Sequence, residues 1–262
     1  MDFKNKKVLI TGGNSGIGKG IVKELINRGV KDFAVIGRKK ESLEKLRTEF
    51  MNANFISIQG DVSKTEDLDR ALETLNKEWG QLDILINNAG VVSAGKLQDI
   101  SDEDVISQIN INITGLILLT KKALPLLLKS NEGAIINVSS GLGYVAMPFY
   151  SVYAATKAAV RHFSEAMRRE LADHPIHVMT VYPTATDTNM MKNADVNNMD
   201  SPEKVAKATI DGLVKGEIDV ILGGEDRKEQ IALNFNHPEK IDEMAKKNYE
   251  ALKKRTKNHR AM

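Results

Sequence analysis

The stretch KKVLITGGNSGIGKGIVKELINRG, residues 6–29, decides how this chain folds. Its first part is short, apolar and rich in β-branched residues, which predicts a strand. A turn with four glycines follows directly, and a helical pattern then runs to Arg28 and stops at Gly29. A strand, a glycine-rich turn and a helix in this order are typical of the first unit of an alternating α/β fold.

Six further apolar runs repeat the alternation of strand and helix along the chain. With the first, the runs are KKVLIT, DFAVIG, ANFISIQ, LDILIN, GAIINVS, IHVMTVY and EIDVILG. Several are apolar almost throughout, as expected for parallel strands that helices cover on both faces. The sequence therefore predicts a doubly wound, seven-stranded parallel sheet of the Rossmann type, formed as one domain by residues 1–224.

Composition narrows the function classes. The 262 residues are 42% hydrophobic with a net charge of only +2, so no broad basic field favours nucleic acid or a membrane surface as a partner. The chain has no cysteine, which excludes disulfides, thiolate catalysis and cysteine-ligated zinc; no metal site is predicted, and redox chemistry would need a bound cofactor. The N-terminus MDFKNKKVLI lacks a signal-type apolar region, so we expect a cytoplasmic protein.

Residues 225–262 form a charged extension. Within EKIDEMAKKNYEALKKRTKNHRAM, an apolar stripe predicts one appended docking helix; it consists of Ile241, Met244, Ala245, Tyr249 and Leu252. The last ten residues hold five Lys or Arg and no acid. A solvated, frayed terminus is the favoured interpretation, and attraction of an anionic partner is the alternative.

The turn TGGNSGIG, residues 11–18, has the features of an anion site. Free backbone N–H groups and the helix dipole both point towards the space above the turn, which suits a nucleotide pyrophosphate. Its spacing is G-x-x-x-G-x-G, and no Gly-Lys-Ser/Thr follows, so it is not a P-loop. The predicted contacts are Gly12, Asn14, Ser15, Gly16, Ile17 and Gly18. The alternative is a tight turn without a ligand.

The end of the second strand indicates which dinucleotide is bound. Folds that use NAD place an Asp or Glu there for the ribose 2′-hydroxyl, but this strand ends in Gly37, Arg38, Lys39 and Lys40. Arg38 is placed to bind a 2′-phosphate through charged hydrogen bonds. We therefore expect NADP(H) to be preferred over NAD(H). Alternatively, these basic residues only begin a solvated helix.

The stretch YSVYAATK, residues 150–157, opens a predicted helix that runs from 151 to 171 without Gly or Pro. Residues four apart share a helix face, so Tyr153 lies beside Lys157, whereas Tyr150 has only Ala154 at that spacing. An ammonium stabilises phenolate, and moving a phenol pKa from ~10 to ~7 needs roughly 4 kcal/mol. Tyr153 is thus a candidate general acid or base. The alternative is two packing tyrosines and a surface lysine.

Together these motifs resemble the single-domain short-chain dehydrogenase/reductase family over residues 6 to about 223. The resemblance rests on five motifs in order: TGGNSGIG at 11–18, NNAG at 87–90, NITG at 112–115, NVSS at 137–140 and YAATK at 153–157. It implies that Asp61 contacts adenine beside Val62. It also implies that Asn87 to Gly90 steady the sheet and that Asn88, Ala89 and Gly90 line the cofactor groove.

The resemblance also implies catalytic roles. Asn112 positions a water in a proton relay and Ser140, thirteen residues before Tyr153, holds the substrate carbonyl. Tyr153 donates the proton in reduction, and Lys157 lowers its pKa and binds the nicotinamide ribose. In YPTATDT, Pro183 and Thr188 match the family's nicotinamide-side loop and contact the cofactor, while Thr184 replaces the usual glycine.

The implied activity is NADP(H)-dependent hydride transfer between nicotinamide and a ketone, an aldehyde or the matching alcohol. The stretches expected to face the nicotinamide are GVVSAGKL, GLGYVAMPFY and NMMKNADVNNM. The middle one is mostly apolar and no arginine fork for a carboxylate is expected in this pocket, so a neutral, moderately lipophilic ketone or aldehyde is predicted. A catalytically idle NADP-binding sensor on the same fold is the alternative, although such proteins typically lose the tyrosine or the lysine. The stretch DEDVISQININITGLILLTKKALPLLLKS has a long helical pattern. The family commonly pairs this helix and the one after Ser151 with their symmetry mates, so the resemblance implies a homo-oligomer.

Overall fold

The computed structural model describes residues 1–262 and contains the predicted parallel sheet. The strands in chain order are β1 (Lys7–Thr11), β2 (Asp32–Gly37), β3 (Asn54–Gln59), β4 (Ile84–Asn87), β5 (Val92–Ser93), β6 (Gly133–Val138), β7 (Ile176–Tyr182), β8 (Asp219–Ile221) and β9 (Arg260–Ala261). Seven of them form one sheet in the order β3-β2-β1-β4-β6-β7-β8, with every neighbouring pair parallel. The strand order reverses between β1 and β4, which is where such sheets bind ligands.

Helices cover both faces of this sheet. They are α1 (Gly16–Asn27), α2 (Lys40–Glu49), α3 (Thr65–Glu78), α4 (Asp102–Ile109), α5 (Leu116–Leu127), α6 (Ser151–Glu170), α7 (Pro202–Lys215), α8 (Gly224–Asn236), α9 (Pro238–Lys247) and α10 (Tyr249–Thr256). One apolar core lies under α1, α2 and α7, and a second lies under α3, α5 and α6. None of the helices combines the length and apolar character needed to cross a bilayer.

The helix predicted across the NITG motif is interrupted. A π-helical turn, Asn110–Gly115, separates α4 from α5. A Cβ on Gly115 would lie 2.4 Å from the carbonyl oxygen of Val62, so only glycine allows this close approach to the loop after β3. Turns of this kind are frequent at functional sites because the extra residue redirects a side chain. Here the turn carries Asn112, which is buried.

The C-terminal extension is not the single helix predicted from its apolar stripe. Three helices, α8, α9 and α10, follow β8; Pro238 begins α9 after α8 ends at Asn236. At the junction of α9 and α10, the Asn248 amide donates to the carbonyl of Met244 at 2.9 Å and closes the end of α9. The stripe is therefore divided between two short helices.

The prediction of a frayed terminus, which was based on its charge, is also wrong. The last residues form β9, which pairs antiparallel with β5 through Val92 and Ala261. The Arg260 guanidinium makes two hydrogen bonds to the Asp104 carboxylate, at 2.8 and 2.9 Å. A bidentate pair of this geometry is strong and directional, so the terminus is fixed against the body of the protein.

Candidate functional site

A cavity of about 880 Å³ lies at the carboxyl ends of the strands. It brings together sixteen predicted site residues: Gly12, Asn14, Ser15, Gly16, Ile17, Arg38, Asp61, Val62, Asn88, Ala89, Gly90, Ser140, Tyr153, Lys157, Pro183 and Thr188. Gly18 and Asn112 do not line it. The predicted site is therefore one continuous cavity, and Gly18 and Asn112 lie outside its lining.

The glycine-rich turn leaves backbone donors free at the start of α1. Gly12 and Gly16 have φ angles of +66° and +51°, a region that favours glycine. The Ser15 side chain does not cap the helix, and the N–H groups of Gly16 and Ile17 have no backbone acceptor. A Cβ on Gly18 would lie 2.4 Å from the carbonyl oxygen of Gly12, so Gly18 permits close packing behind the turn. The open amides suit a phosphate group.

The NNAG motif holds this turn against β4. The Thr11 hydroxyl accepts hydrogen bonds from the N–H groups of Asn88 and Ala89, at 3.0 and 2.9 Å. The Asn88 amide in turn donates to the carbonyl oxygens of Thr11 and Gly12. The end of β1 and the end of β4 are thereby locked together beneath the cavity.

The far end of the cavity, beyond β2, is basic. Arg38 and Lys39 line it and are exposed, and the three residues that follow β2 are all basic. The Arg38 guanidinium donates to the main-chain oxygen of the last residue, Met262, at 3.2 Å, so the end of the chain reaches across the cavity mouth. Asp61 also lines this end, and its carboxylate accepts from the N–H and the hydroxyl of Ser63 at 2.9 and 2.7 Å.

Tyr153, Lys157 and Ser140 meet in the central part of the cavity. The Lys157 ammonium lies 5.6 Å from the centroid of the Tyr153 ring, which agrees with their shared face on α6. It donates to the carbonyl oxygen of Val138 at 3.0 Å, so β6 fixes its position. Ser140 follows β6 directly, and its hydroxyl accepts from the N–H of Leu142 at 3.2 Å.

The pKa values of Tyr153 and Lys157 differ from the prediction made from the sequence. Burial raises the pKa of Tyr153 to about 12, and the Ser140 hydroxyl opposes the rise. Burial lowers the pKa of Lys157 to about 8. The prediction that the pKa of Tyr153 lies below its ordinary value is therefore wrong for the chain alone, because burial disfavours the charged form of the phenol and outweighs the groups that favour it. At neutral pH both groups are mainly protonated.

Asn112 acts through the protein framework. Its side-chain oxygen accepts from the N–H of Val91 at 2.9 Å, while its amide donates to the Val91 carbonyl and the Thr156 hydroxyl at 3.0 and 3.1 Å. These bonds connect the π-helical turn to the loop after β4 and to α6. The water relay implied by the family resemblance stays a prediction.

The loop after β7, which the family resemblance places beside the nicotinamide, accommodates Thr184 where the family usually has glycine. Thr184 is not among the residues with positive φ, so no left-handed conformation is required there. Its hydroxyl donates to Asp200 at 2.5 Å, and the Pro183 carbonyl accepts from the N–H of Gly141 at 3.0 Å. Thr188 contacts the glycine-rich turn, since a Cβ on Gly16 would lie 3.1 Å from its methyl group.

The C-terminal extension supplies part of the wall, which sequence reasoning missed. Arg227, Arg255 and His259 line the cavity. Tyr150 lines the cavity as well, and its hydroxyl shares a hydrogen bond of 2.7 Å with His259 Nδ1, which ties it to the tail. The premise of the neutral-substrate prediction, a pocket without an arginine, is therefore wrong. The sequence shows the excess of basic residues in the tail, but no local pattern in it indicates that the tail folds back to line the cavity.

Replacing Lys157 with methionine is expected to change how stability depends on pH. The folded chain releases the lysine proton near pH 8, whereas the unfolded chain keeps it to about 10.5. Below pH 8 the buried charge of Lys157 therefore lowers the free energy of unfolding, and above pH 8 this destabilisation is relieved as the folded chain loses the proton. Between about pH 7 and 9.5, the free energy of unfolding of the wild type should rise by roughly 2 kcal/mol relative to Lys157→Met. Urea unfolding measures this; parallel pH profiles would contradict it.

Comparison with known proteins agrees with this geometry. The sequence profile of the family described as short chain dehydrogenase matches residues 6–199. An uncharacterized oxidoreductase of Staphylococcus aureus is 31% identical over 215 residues, covering 80% of this chain and 92% of its own. An NADP-dependent 3-hydroxy acid dehydrogenase of Schizosaccharomyces pombe is 30% identical over 235 residues, covering 82% and 90%.

A solved structure shows the same fold over nearly the whole chain. A short chain dehydrogenase from Burkholderia cenocepacia in complex with NADP superposes with a TM-score of 0.82 at 27% identity, covering 94% of this chain and 99% of that one. The family profile covers well over half of the present chain. The chain therefore belongs to the short-chain dehydrogenase/reductase family of oxidoreductases.

Proposed function

We propose that this protein is an NADP(H)-dependent oxidoreductase that interconverts a carbonyl compound and its alcohol, with Tyr153 as general acid and base. The observation that carries the proposal is the position of Tyr153 beside Lys157 and Ser140, in the same cavity as the glycine-rich turn. A phenol next to a carbonyl site supplies a proton, and a dinucleotide site supplies the redox partner. The nicotinamide, when bound, provides or accepts the hydride.

The residues present fit an NADP cofactor. Gly16 and Ile17 offer unpaired N–H groups at a helix start for the pyrophosphate. Arg38 and Lys39 offer cationic donors for a 2′-phosphate, and Gly37 occupies the position where NAD-specific folds carry an acid. The relatives include proteins named for NADP and others solved with NADH, so the preference is argued from the residues at the end of β2. These observations favour NADP(H) over NAD(H).

In the reduction, the protein's own groups position the carbonyl and supply the proton. Ser140 donates a hydrogen bond to the carbonyl oxygen, and Tyr153 transfers its proton to the same oxygen as the alkoxide develops. Lys157, held by the Val138 carbonyl, places a positive charge under the tyrosine and stabilises the phenolate left behind. Because the pKa of Tyr153 is raised to about 12, the phenol is protonated at neutral pH and ready for reduction.

The direct experiment is NADPH oxidation followed by absorbance across a panel of ketones, aldehydes, quinones, acyl thioesters and oxo acids. We expect turnover of at least one carbonyl class and a lower rate with NADH. Tight NADPH binding without turnover of any class would contradict the proposal and favour the idle sensor. The relative rates also show which class of carbonyl compound the protein reduces best.

We also propose that residues 1–224 form the catalytic domain and that the extension, 225–262, closes its substrate side. The contacts of His259 with Tyr150 and of Arg260 with Asp104 support this division of roles. A cytoplasmic location is proposed because the chain contains no cysteine and therefore no disulfide. Small-molecule carbonyl or alcohol substrates are the proposed partners, together with further copies of the chain.

We expect at least a dimer at micromolar concentration. Ile106 and Ile109 on α4 are 56% and 42% exposed, and such side chains are typical of a helix that pairs with another copy. Light scattering measures the mass, and Ile106→Glu should shift it towards the monomer. Met51→Glu is the matched control, since Met51 is 87% exposed between α2 and β3. A monomeric wild type would contradict this prediction.

A further inference from the structure

Two arginines in the cavity have no acidic partner. Arg227 and Arg255 both line it, and neither makes an ion pair. Arg227 bonds only the side-chain oxygen of Gln230, at 2.8 Å, and Nε of Arg255 is buried without any acceptor. Arg260, by contrast, is paired with Asp104. The arginine pair therefore presents unused, partly desolvated donors to the cavity.

This arginine pair lies at the substrate end. A Cβ on Gly141, the residue after Ser140, would lie 3.2 Å from the central guanidinium carbon of Arg227. Burial raises the pKa of Tyr150, and Arg255, which lies beside its hydroxyl, opposes the rise. The glycine-rich turn is at the end of β1 and the basic 2′-phosphate site is at the end of β2, so the cofactor phosphates are predicted elsewhere.

The charge of the pair is uncompensated. Burial first, and then the charge of Arg255, lower the pKa of Arg227, which shows that the two cations disfavour each other in this place. The only acidic side chain that lines the cavity is that of Asp61, at the end where Arg38 lies. Two half-buried cations of like charge are unfavourable unless an anion joins them. The missing counter-charge is best supplied by a ligand.

We infer that the substrate is an oxo acid, or the matching hydroxy acid, whose carboxylate binds between Arg227 and Arg255 while its carbonyl lies at Ser140 and Tyr153. The inference rests on the proposed function and names its substrate class. A guanidinium fork matches the two oxygens of a carboxylate. In the reduction, hydride from NADPH forms the new C–H bond, the C=O bond becomes a single bond, and the Tyr153 proton completes the hydroxyl. The carboxylate is unchanged.

The experiment compares acids with their neutral esters. Pyruvate, acetoacetate and levulinate, which differ in the spacing of carbonyl and carboxylate, are each assayed with NADPH beside the methyl ester. We expect the best acid to exceed its ester in kcat/KM by about tenfold or more. Arg227→Gln and Arg255→Gln should each lower kcat/KM for that acid by roughly 10- to 100-fold, mainly through KM, because one charged hydrogen-bond donor is lost. The ester should change by less than about threefold.

Two controls separate the possible failures. Arg47→Gln removes an exposed arginine of α2 outside the cavity and should leave both substrates unaffected. Calorimetric titration of pentanoate, which has no carbonyl to reduce, into the NADP-bound protein should show binding that either arginine substitution weakens. Turnover of esters with no preference for acids, or equal losses for acid and ester in both variants, would overturn the inference and leave the proposed function standing. No turnover of any carbonyl, with pentanoate binding retained, would overturn the proposed function alone.

Discussion

Tyr153→Phe is expected to lower turnover by about 100-fold or more while NADPH still binds. The substitution removes only the hydroxyl, and with it the proton that the alkoxide oxygen needs. The ring stays packed on α6, and Lys157 keeps its bond to the Val138 carbonyl, so the cofactor groove should be unchanged. Steady-state kinetics gives the turnover, and fluorescence titration gives the NADPH affinity.

Tyr150→Phe is the matched control for this change. Tyr150 is 2% exposed, and its hydroxyl shares a hydrogen bond with His259 rather than facing a lysine. Losing that buried bond should reduce the free energy of unfolding by about 1–3 kcal/mol, while turnover changes by only a few-fold. If the two substitutions reduce turnover by similar factors, or the larger loss follows Tyr150, the assignment of Tyr153 is wrong.

Arg38→Ala is expected to weaken NADPH binding by roughly 10- to 10⁴-fold and to leave NADH binding almost unchanged. One or two charged hydrogen bonds to the 2′-phosphate are each worth about 1.5–3 kcal/mol. NADH has no phosphate for the lost group to bind. Fluorescence titration at fixed ionic strength measures both cofactors, because salt screens an exposed charge contact.

Arg47→Ala controls for a general loss of positive charge, since Arg47 lies on α2 outside the cavity. Equal loss of NADH and NADPH affinity in Arg38→Ala would show that the residue supports the fold through its contact with Met262.

Placing an aspartate at Gly37 is a poor way to invert the preference for NADPH over NADH. Its Cβ would lie 2.8 Å from the side-chain oxygen of Asn14, which is itself a cavity residue.

The main fold was predictable because parallel strands buried on both faces leave a plain signal in sequence. The runs VLI and FAVIG are apolar throughout, and both belong to interior strands of the sheet, β1 and β2. Most site residues were equally predictable because they follow directly after strands, where the topology brings them to one edge. Gly12, Arg38 and Ser140 illustrate this rule, each belonging to or following a different strand.

The rest depended on contacts between distant parts of the chain. The pKa of Tyr153 is set by burial, which the four-residue spacing to Lys157 does not reveal. The π-helical turn depends on a carbonyl of Val62, some fifty residues earlier than Gly115. The tail returns to the cavity through β9 and through the bond of His259 to Tyr150. A two-residue strand has too short a pattern to be recognised.

The most direct test of the central claim follows the hydride itself. NADPH carrying deuterium at the transferred position of the nicotinamide is incubated with the best carbonyl of the panel, and the product is analysed by mass spectrometry. We predict one deuterium on the alcohol carbon for each NADPH oxidised. In Tyr153→Phe, which should still bind NADPH, the oxidation of NADPH and the deuterium in the product should be lost together. Oxidation of NADPH without deuterium in the product, or transfer at the wild-type rate in Tyr153→Phe, would contradict the account.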